Sequence, residues 1–521
     1  MSEESVLPSF PWRLATALLF GGLSTLAHGP IHAWWFALGC LAGWLLSIRP
    51  RRHLQNLGVG FAFGVGWFTA GGWWLAVGLW RFTAAGAVGA FAITTLLVIY
   101  LSCFPAIAGL LIGMLGSRMP WPARSCMIAA GWTSTAWLGA TLFGGLPWMS
   151  VGTGQIAGPL SSWAPIGGGH LVEFVALLAA AGLAEMIFAC TRAPFNRRQV
   201  LLSALWVVVM VGGSVWLKNT LWTQPTGVMT VRLAQGNLPQ DEKFSLEGLR
   251  RAAEVYGTAI ANSEAELTIL PETAFPMTWE ALPIELRDHI RRFATEQQTT
   301  VLLGALVQEP SGSMTNDLLL IRPGVPPAAG ETSGPSFDDR YVKEHLVFMG
   351  EYLPASLSWL GKRLNVAYSS LSSGVGAYHV LDVGPARIAA TICFEGLFGA
   401  VNAARARDAN LLVNISNFGW FAGTWAADED LDAIRMRSLE TGRWTARVAN
   451  SGITALIDDQ GDVVDALAQD VAAVLDGKVE LRDGLTPYAR AGDLPVILLC
   501  SAMLLLGAAI ESARSRAGRG K

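Results

Sequence analysis

Charge is scarce in this chain. Of its 521 residues only 15% are Asp, Glu, Lys or Arg, while 52% are hydrophobic. That balance excludes a single soluble domain. The scarcity is uneven: acids are almost missing from the first 217 residues, whereas 228–485 has the composition of an ordinary soluble domain. A net charge of −3 leaves no footprint for nucleic acid, so no nucleic-acid partner is expected. There are six cysteines, no CxxC and no His/Cys spacing of the kind that holds zinc, so neither a metal nor a cofactor is expected. Between residues 218 and 493 Cys393 stands alone, which excludes a disulfide inside the polar region. An oxidising compartment is thereby permitted but not required. Tandem repeats and low-complexity tracts are also missing.

What the chain has instead is long apolar runs. Seven precede the polar region, near 11–28, 31–48, 56–79, 86–115, 124–143, 170–190 and 199–217, and one follows it near 494–511. Each approaches the ~20 residues that a bilayer requires, so eight spanning helices are expected. The domains are then a membrane part (1–217), a polar domain (228–485), a last span (494–511) and a basic tail (512–521). Basic residues collect on alternate loops: Arg49, Arg51 and Arg52; Arg118 and Arg124; Arg192, Arg197 and Arg198; Arg514, Arg516, Arg519 and Lys521. Loop 144–169, on the other side, has no Lys or Arg. The positive-inside rule places both termini in the cytoplasm and the polar domain outside. Loop 144–169 is long, glycine-rich and apolar, and it reads either as a docking surface or as a re-entrant spacer.

The polar domain alternates strand and helix patterns, as α/β or α+β domains do. Expected strands are 228–235, 267–272, 300–307, 318–322, 377–383, 386–393, 410–416, 444–457 and 463–467, the last closing the sheet. Helices are expected near 246–262, 281–296 and 428–441. Three ionisable residues stand at or near strand ends. Glu272 lies between Pro271 and Pro276, Lys343 interrupts a β-like run, and Cys393 ends the apolar run Ile388–Ile392. Each has an ordinary explanation taken singly: a helix-start carboxylate, a solvated charge, a small buried hydrophobe. Together they supply what thiol acyl transfer needs, namely a base, a cation for the oxyanion and a nucleophile.

Pro271-Glu272-Thr-Ala-Phe-Pro276, Lys343 with Gly350-Glu351-Tyr-Leu-Pro354, and Ile392-Cys393-Phe-Glu395 resemble the three signatures of the nitrilase (carbon–nitrogen hydrolase) superfamily. Gln235-Gly-Asn237, Ser416-Asn417, Trp420-Phe421, Arg435–Glu440, Ala449–Ile453, Pro147-Trp148, Gly158-Pro159-Leu160 and Ala164-Pro165-Ile166 narrow the resemblance to the apolipoprotein N-acyltransferases. The resemblance implies a polytopic α-helical membrane domain of about eight transmembrane helices carrying a nitrilase-like αββα sandwich. It implies Glu272 as general base, Lys343 as oxyanion partner and Cys393 as nucleophile, with Glu351 and Glu395 as supporting carboxylates. Phe348, Phe394, Asn417, Trp420, Phe421 and Trp148 are the expected substrate contacts. A phospholipid would give its acyl chain to Cys393, and the α-amine of a diacylglyceryl-modified apolipoprotein would accept it at the bacterial cytoplasmic (inner) membrane.

Aromatic stretches 348–371 and 418–427 are expected to act as arms dipping into lipid, with Trp420 and Phe421 as core residues the alternative. Three positions depart from the family pattern: Phe394 where tyrosine is frequent, Phe418 where aspartate is common, and Asp428-Glu429-Asp430 where Gln-His often stands. A membrane-tethered amidase or nitrilase shares the three catalytic residue types and is the rival reading. A transporter or scaffold with a dead domain is disfavoured by sparse intramembrane charge, chiefly Glu173 and Glu185.

Overall fold

The computed structural model describes residues 9–50, 52–115, 119–191, 195–243, 245–324, 337–353, 371–374, 376 and 378–519. Arg51, Arg118, Arg192, Lys521 and most of the proposed arm, 354–370, lie outside the described residues. The chain divides into two compact units, one of residues 1–76, 88–220 and 491–521, the other of 77–87 and 221–490.

The first unit is helical. Its elements are α1 (Phe10–Ser24), α2 (Trp34–Ser47), α3 (His53–Phe82), α4 (Gly86–Leu115), α5 (Trp121–Thr141), α6 (Ala164–Thr191) and α7 (Arg197–Leu217), and the chain's last helix, Leu494–Arg519, joins them. Residues 77–87, where α3 ends and α4 begins, group with the second unit. Among the described residues five helices are long and apolar enough to cross a membrane: His53–Phe82, Gly86–Leu115, Pro159–Thr191, Arg197–Leu217 and Leu494–Arg514. Three of the eight expected spans are not among these: α5 is long enough but not apolar enough, and the first expected pair falls short in length. At 15 and 14 residues, α1 and α2 reach only about 23 Å and about 21 Å against a hydrocarbon core of about 30 Å.

The buried arginine and the two acids of the helix interiors in this unit are paired, although Trp44 Nε1, Trp67 Nε1 and Thr133 Oγ1 are buried without a hydrogen-bond partner among the described residues. Buried Arg13 donates from Nε to the Ser47 carbonyl (2.7 Å), from Nη1 to Gln55 Oε1 (2.9 Å) and from Nη2 to Asn56 Oδ1 (3.2 Å), tying α1 to α2 and α3. Glu173 accepts from Trp132 Nε1 at 2.9 Å, and Glu185 pairs with Arg124 at 2.5 Å and with Gln199. An unpaired buried charge is costly, and both of these acids have donors.

The second unit contains β1 (Gln224–Gln235), α8 (Leu246–Ala261), β2 (Leu267–Ile269), α9 (Ile284–Glu296), β3 (Thr300–Gln308), β4 (Met314–Ile321), β5 (Asp339–Val342), β6 (Leu381–Val383), β7 (Ala386–Ile392), α10 (Gly399–Arg405), β8 (Leu411–Ser416), α11 (Ala426–Thr441), β9 (Thr445–Ala449), β10 (Ala455–Ile457), β11 (Val463–Ala466) and β12 (Ala473–Asp483). Two six-stranded sheets result, ordered β12-β1-β2-β3-β4-β5 and β11-β10-β9-β8-β7-β6. The centre of each is parallel (β1, β2 and β3; β7, β8 and β9), and the flanks are antiparallel. Buried parallel strands have both faces covered and read as continuous apolar runs, which is how Val301–Leu303 and Leu411–Val413 appear.

Leu233, Ile269, Leu302 and Leu320 of one sheet meet Ile388, Ile392, Val413 and Val448 of the other in a single core. The outer face of the first sheet (Val301, Leu303, Leu319) packs on Tyr256, Ile260 and Ile290 of α8 and α9. Leu412 packs on Ala406 behind the second sheet, and Ile434 of α11 packs on Ala455 and Ile457. These are the four layers, αββα.

Three expectations are corrected. The expected strand 444–457 is two strands, because Asn450 turns out of the sheet to bond both backbone groups of Leu238. Strand 463–467 does not close the fold but forms the edge of the second sheet. The first sheet is instead completed by β12, eleven residues with Leu475, Val479 and Leu481 turned inward, paired antiparallel along β1. The short helix α10 was also not expected. Leu302 sits fully buried between the sheets, so Leu302→Ala is expected to cost about 2–5 kcal/mol. A lowered thermal unfolding midpoint in detergent checks it; an unchanged midpoint contradicts this assignment of the core.

Candidate active site

Each proposed catalytic residue sits at or just past the end of a strand. Glu272 follows β2, in the turn after Pro271. Gly304 of β3 runs so close behind it that a Cβ there would lie 2.6 Å from Glu272 Cα and 2.5 Å from the Pro271 carbonyl oxygen. Only glycine permits this approach. Lys343 follows β5, and its N–H donates to the Asn316 carbonyl of β4 at 2.9 Å. Cys393 ends β7 and opens the tight turn Cys393–Leu397 with φ of +53°. A non-glycine residue held in the left-handed region is strained, and such strain collects at sites where the surroundings overdetermine a geometry.

The side chains converge. Lys343 is fully buried, with Nζ donating to Glu351 Oε1 at 2.7 Å and to Glu272 Oε1 at 3.4 Å. Asn316 Nδ2 bridges the same two carboxylates, at 2.8 Å to Glu272 and 3.2 Å to Glu351. Glu351 Oε2 accepts from the Val347 N–H at 2.9 Å, so both its oxygens are occupied. The Cys393 thiol, half-buried, feels Glu272, Lys343, Asp430 and Glu351.

Burial pushes the Cys393 thiol well above its usual range, Glu272 pushes it further, and Lys343 pulls back only in part. The resting sulfur therefore keeps its proton. Burial alone would lower the Lys343 ammonium, but Glu351 and then Glu272 outweigh it and hold the group above the ordinary lysine range. A cation thus faces a neutral thiol across two carboxylates.

Glu395 has another task. Fully buried, its Oε1 accepts from Tyr341 Oη (2.7 Å) and from the N–H groups of Glu344 (2.8 Å) and His345 (3.0 Å). Its Oε2 accepts from the Ile392 N–H at 2.9 Å, and Arg405 lies 3.6 Å away. One carboxylate therefore clasps the chain just before the thiol to the chain just after the lysine. Behind the thiol, Asn414 Nδ2 donates to Thr391 Oγ1 (3.0 Å) and to the Cys393 carbonyl (3.5 Å), while its Oδ1 accepts from Arg447 Nη1 (2.9 Å). Arg447 pairs with buried Asp430 at 2.5 Å and lies 5.5 Å over the Phe418 ring. Two departures from the family pattern, Phe418 and Asp430, therefore meet on one guanidinium, and both are buried.

The expected substrate contacts are dispersed. Phe394 stacks edge-on against Phe398 at 5.0 Å, with His345 on the other ring contact. Phe348 is 53% exposed. Asn417 donates to Gln240 and accepts from Asn450. Trp420 and Phe421 pack on the 77–87 segment: Trp420 meets Phe82 edge-on at 5.2 Å, and a Cβ on Gly78 would lie 2.6 Å from the Phe421 ring. Trp148 belongs to the first unit, its ring 4.7 Å from that of Trp74.

Asn316, Asn414, Tyr341 and Lys243 were not singled out from the sequence. A polar side chain inside an apolar strand, as at Asn316 and Asn414, is the signal available for the first two. Glu395→Gln replaces an acceptor surrounded by donors with a group that itself donates. It is expected to lower stability by about 3 kcal/mol and to abolish thioester formation, read by thermal unfolding and intact mass. Wild-type values in both would contradict the clasp.

Residues 20–182 match the family model for the apolipoprotein N-acyltransferase N-terminal domain, and residues 230–484 match that for carbon–nitrogen hydrolases. The chain is 34% identical to an apolipoprotein N-acyltransferase of Ralstonia nicotianae over 528 residues, covering 99% of this chain and 97% of the relative. It is 32% identical to one of Chromobacterium violaceum over 501 residues, 95% and 93% of the two chains. Among solved structures, an amidase from Nesterenkonia sp. aligns at 16% identity and a TM-score of 0.37, covering 51% of this chain and 94% of its own. The full-length relatives and the two matched models together establish that the chain belongs to the apolipoprotein N-acyltransferase family.

Proposed function

We propose that this chain is a multi-pass enzyme of the bacterial cytoplasmic membrane that N-acylates lipoproteins. It would move an acyl chain from a phospholipid, through a thioester on Cys393, to the α-amine of an N-terminal diacylglyceryl-cysteine. The observation that carries the reading is the buried Lys343 ammonium, held by Glu351 at 2.7 Å and Glu272 at 3.4 Å in the same cluster as the Cys393 thiol.

In the first half-reaction Glu272 takes the thiol proton as Sγ bonds to the ester carbonyl carbon. The oxyanion that develops is stabilised by the Lys343 ammonium in a poorly solvated pocket. The C–O bond then breaks, and Glu272 returns the proton to the departing glycerol oxygen, releasing lysophospholipid. In the second half the lipoprotein amine attacks the thioester carbonyl, gives up a proton to Glu272, and the C–S bond breaks. The thiolate regains that proton. Glu351 orients the lysine throughout, and Glu395 keeps the two loops in register.

Both substrates are lipids, so the site has to open at bilayer height. The positive-inside pattern supports cytoplasmic termini and a catalytic domain outside the membrane. Exposed Phe348, Tyr352 and Trp425 supply apolar surface suited to lipid contact.

Incubation with phospholipid is expected to add one hydroxylamine-labile acyl mass to Cys393, discharged by a lipopeptide amine. Cys393→Ser is expected to accumulate no thioester. Loss of the acyl group to water at the same rate with and without the amine would make the protein a hydrolase instead. Glu272→Gln is expected to slow acylation roughly 10²–10⁴-fold; an unchanged rate removes Glu272 from the role of base.

A further inference from the structure

Lys243 is buried to 1% exposure, and the chemistry above does not use it. It ends a single turn after β1, its N–H bonded to the Pro239 carbonyl at 2.8 Å. Its Nζ donates to Thr273 Oγ1 at 2.8 Å and to the Glu272 carbonyl oxygen at 3.4 Å. Among the described residues no carboxylate oxygen lies within 4 Å of it, so it forms no ion pair, whereas a buried lysine is ordinarily paired.

Its acceptor is also unusual. Thr273 has φ of +46°, a conformation that is a genuine outlier for a β-branched residue. That strained residue immediately follows Glu272, so its geometry sets the direction in which the carboxylate leaves the chain. The charge balance points the same way. Glu272 and Glu351 together carry one more negative charge than Lys343 neutralises, and a buried excess charge is costly. An ammonium at Lys243, seated on the Glu272 backbone carbonyl, restores neutrality.

We propose that Lys243 is a positioning residue for Glu272: its ammonium pins the strained Thr273 turn that aims the carboxylate at Cys393 and supplies the second cation that keeps it ionised. This rests on the thioester chemistry proposed above. Burial brings the Lys243 ammonium down to about 7, with Glu272 acting in the opposite sense, so the group is still largely charged below neutrality. The Glu272 carboxylate is faced by Lys343 just past β5, Glu351 from the 347–352 turn, Cys393 just past β7 and neutral Asn316 from β4, while Lys243 bonds the Glu272 backbone carbonyl and acts on the carboxylate through its charge. Removing one of the two cations raises the pH at which Glu272 becomes a base.

The test is the pH profile of thioester formation on the full-length enzyme in detergent with phospholipid, followed by intact mass. Lys243→Met is expected to slow acylation at least 10-fold and to move the acid limb upward by about one pH unit. A side chain that merely packed would lower the rate without moving the limb. Thr273→Val keeps the shape and removes the acceptor, and it is expected to slow acylation as well; it carries the test alone if the lysine variant fails to fold. Wild-type rates in both variants, or a Lys243→Met profile with an unmoved limb, overturn the proposal. Wild type and Cys393→Ser run alongside: wild type failing to form a thioester refutes the acyl-transfer reading itself, while a normal wild type beside an unaffected Lys243→Met refutes only the role of Lys243.

Discussion

The site depends on a lysine ammonium kept out of water between two carboxylates. Removing Lys343 from solvent is costly, and the contacts to Glu351 and Glu272 have to offset that cost. They hold the amine above the ordinary lysine range, so it stays a cation near neutral pH. Burial, and after it the same carboxylates, act on the neighbouring sulfur with the opposite result, because a thiolate there would be desolvated and would add a third negative charge. Fixed cation and protonated thiol are thus two consequences of one arrangement. An uncharged thiol suits the proposed acyl transfer, in which the sulfur gives up its proton only as it bonds to a carbonyl carbon.

The fold makes this arrangement possible by supplying strand ends from two sheets. Glu272, Lys343 and Asn316 come from one sheet and Cys393 from the other, so the inter-sheet core of Leu233, Leu302, Ile392 and Val413 sets their spacing. Glu395 then fastens the two sides directly, bonding Ile392 on the thiol side and Glu344 and His345 on the lysine side. Strain is concentrated in the same place. Positive φ at Thr273, Met349 and Cys393 puts a constrained residue next to Glu272, near Glu351 and at the proposed nucleophile itself. Such conformations persist where neighbouring bonds leave no alternative.

Much of this was legible in the sequence, for identifiable reasons. Glu272, Lys343 and Cys393 stand where apolar runs stop, and that boundary is visible in one dimension. The central strands were visible too, as unbroken apolar runs. Strand β12 escaped because Asp476, Gly477, Lys478 and Glu480 dilute the inward set Leu475, Val479 and Leu481, although the alternation is there. Lys243 was not legible at all. In Gln240-Asp-Glu-Lys243 it reads as one more solvated charge, and only tertiary packing makes it buried. Phe418 and Asp430 looked like separate departures affecting specificity, yet the fold brings both to Arg447. Separation along the chain hides a pairing of that kind. The short α1 and α2 were overestimated for a related reason: hydropathy continues through Thr25–Ala27 and its neighbours although the helix does not.

The most direct measurement of the central constraint is the protonation state of the resting thiol. The thiolate's ultraviolet absorbance, taken as the difference between wild type and Cys393→Ser across a pH titration without phospholipid, reports it without turnover. The expected result is no thiolate at neutral pH, with the signal rising only well above the range of a free cysteine. A thiolate already present at neutral pH would mean a resting ion pair with Lys343, and would contradict the assignment of Glu272 as the group that takes the proton.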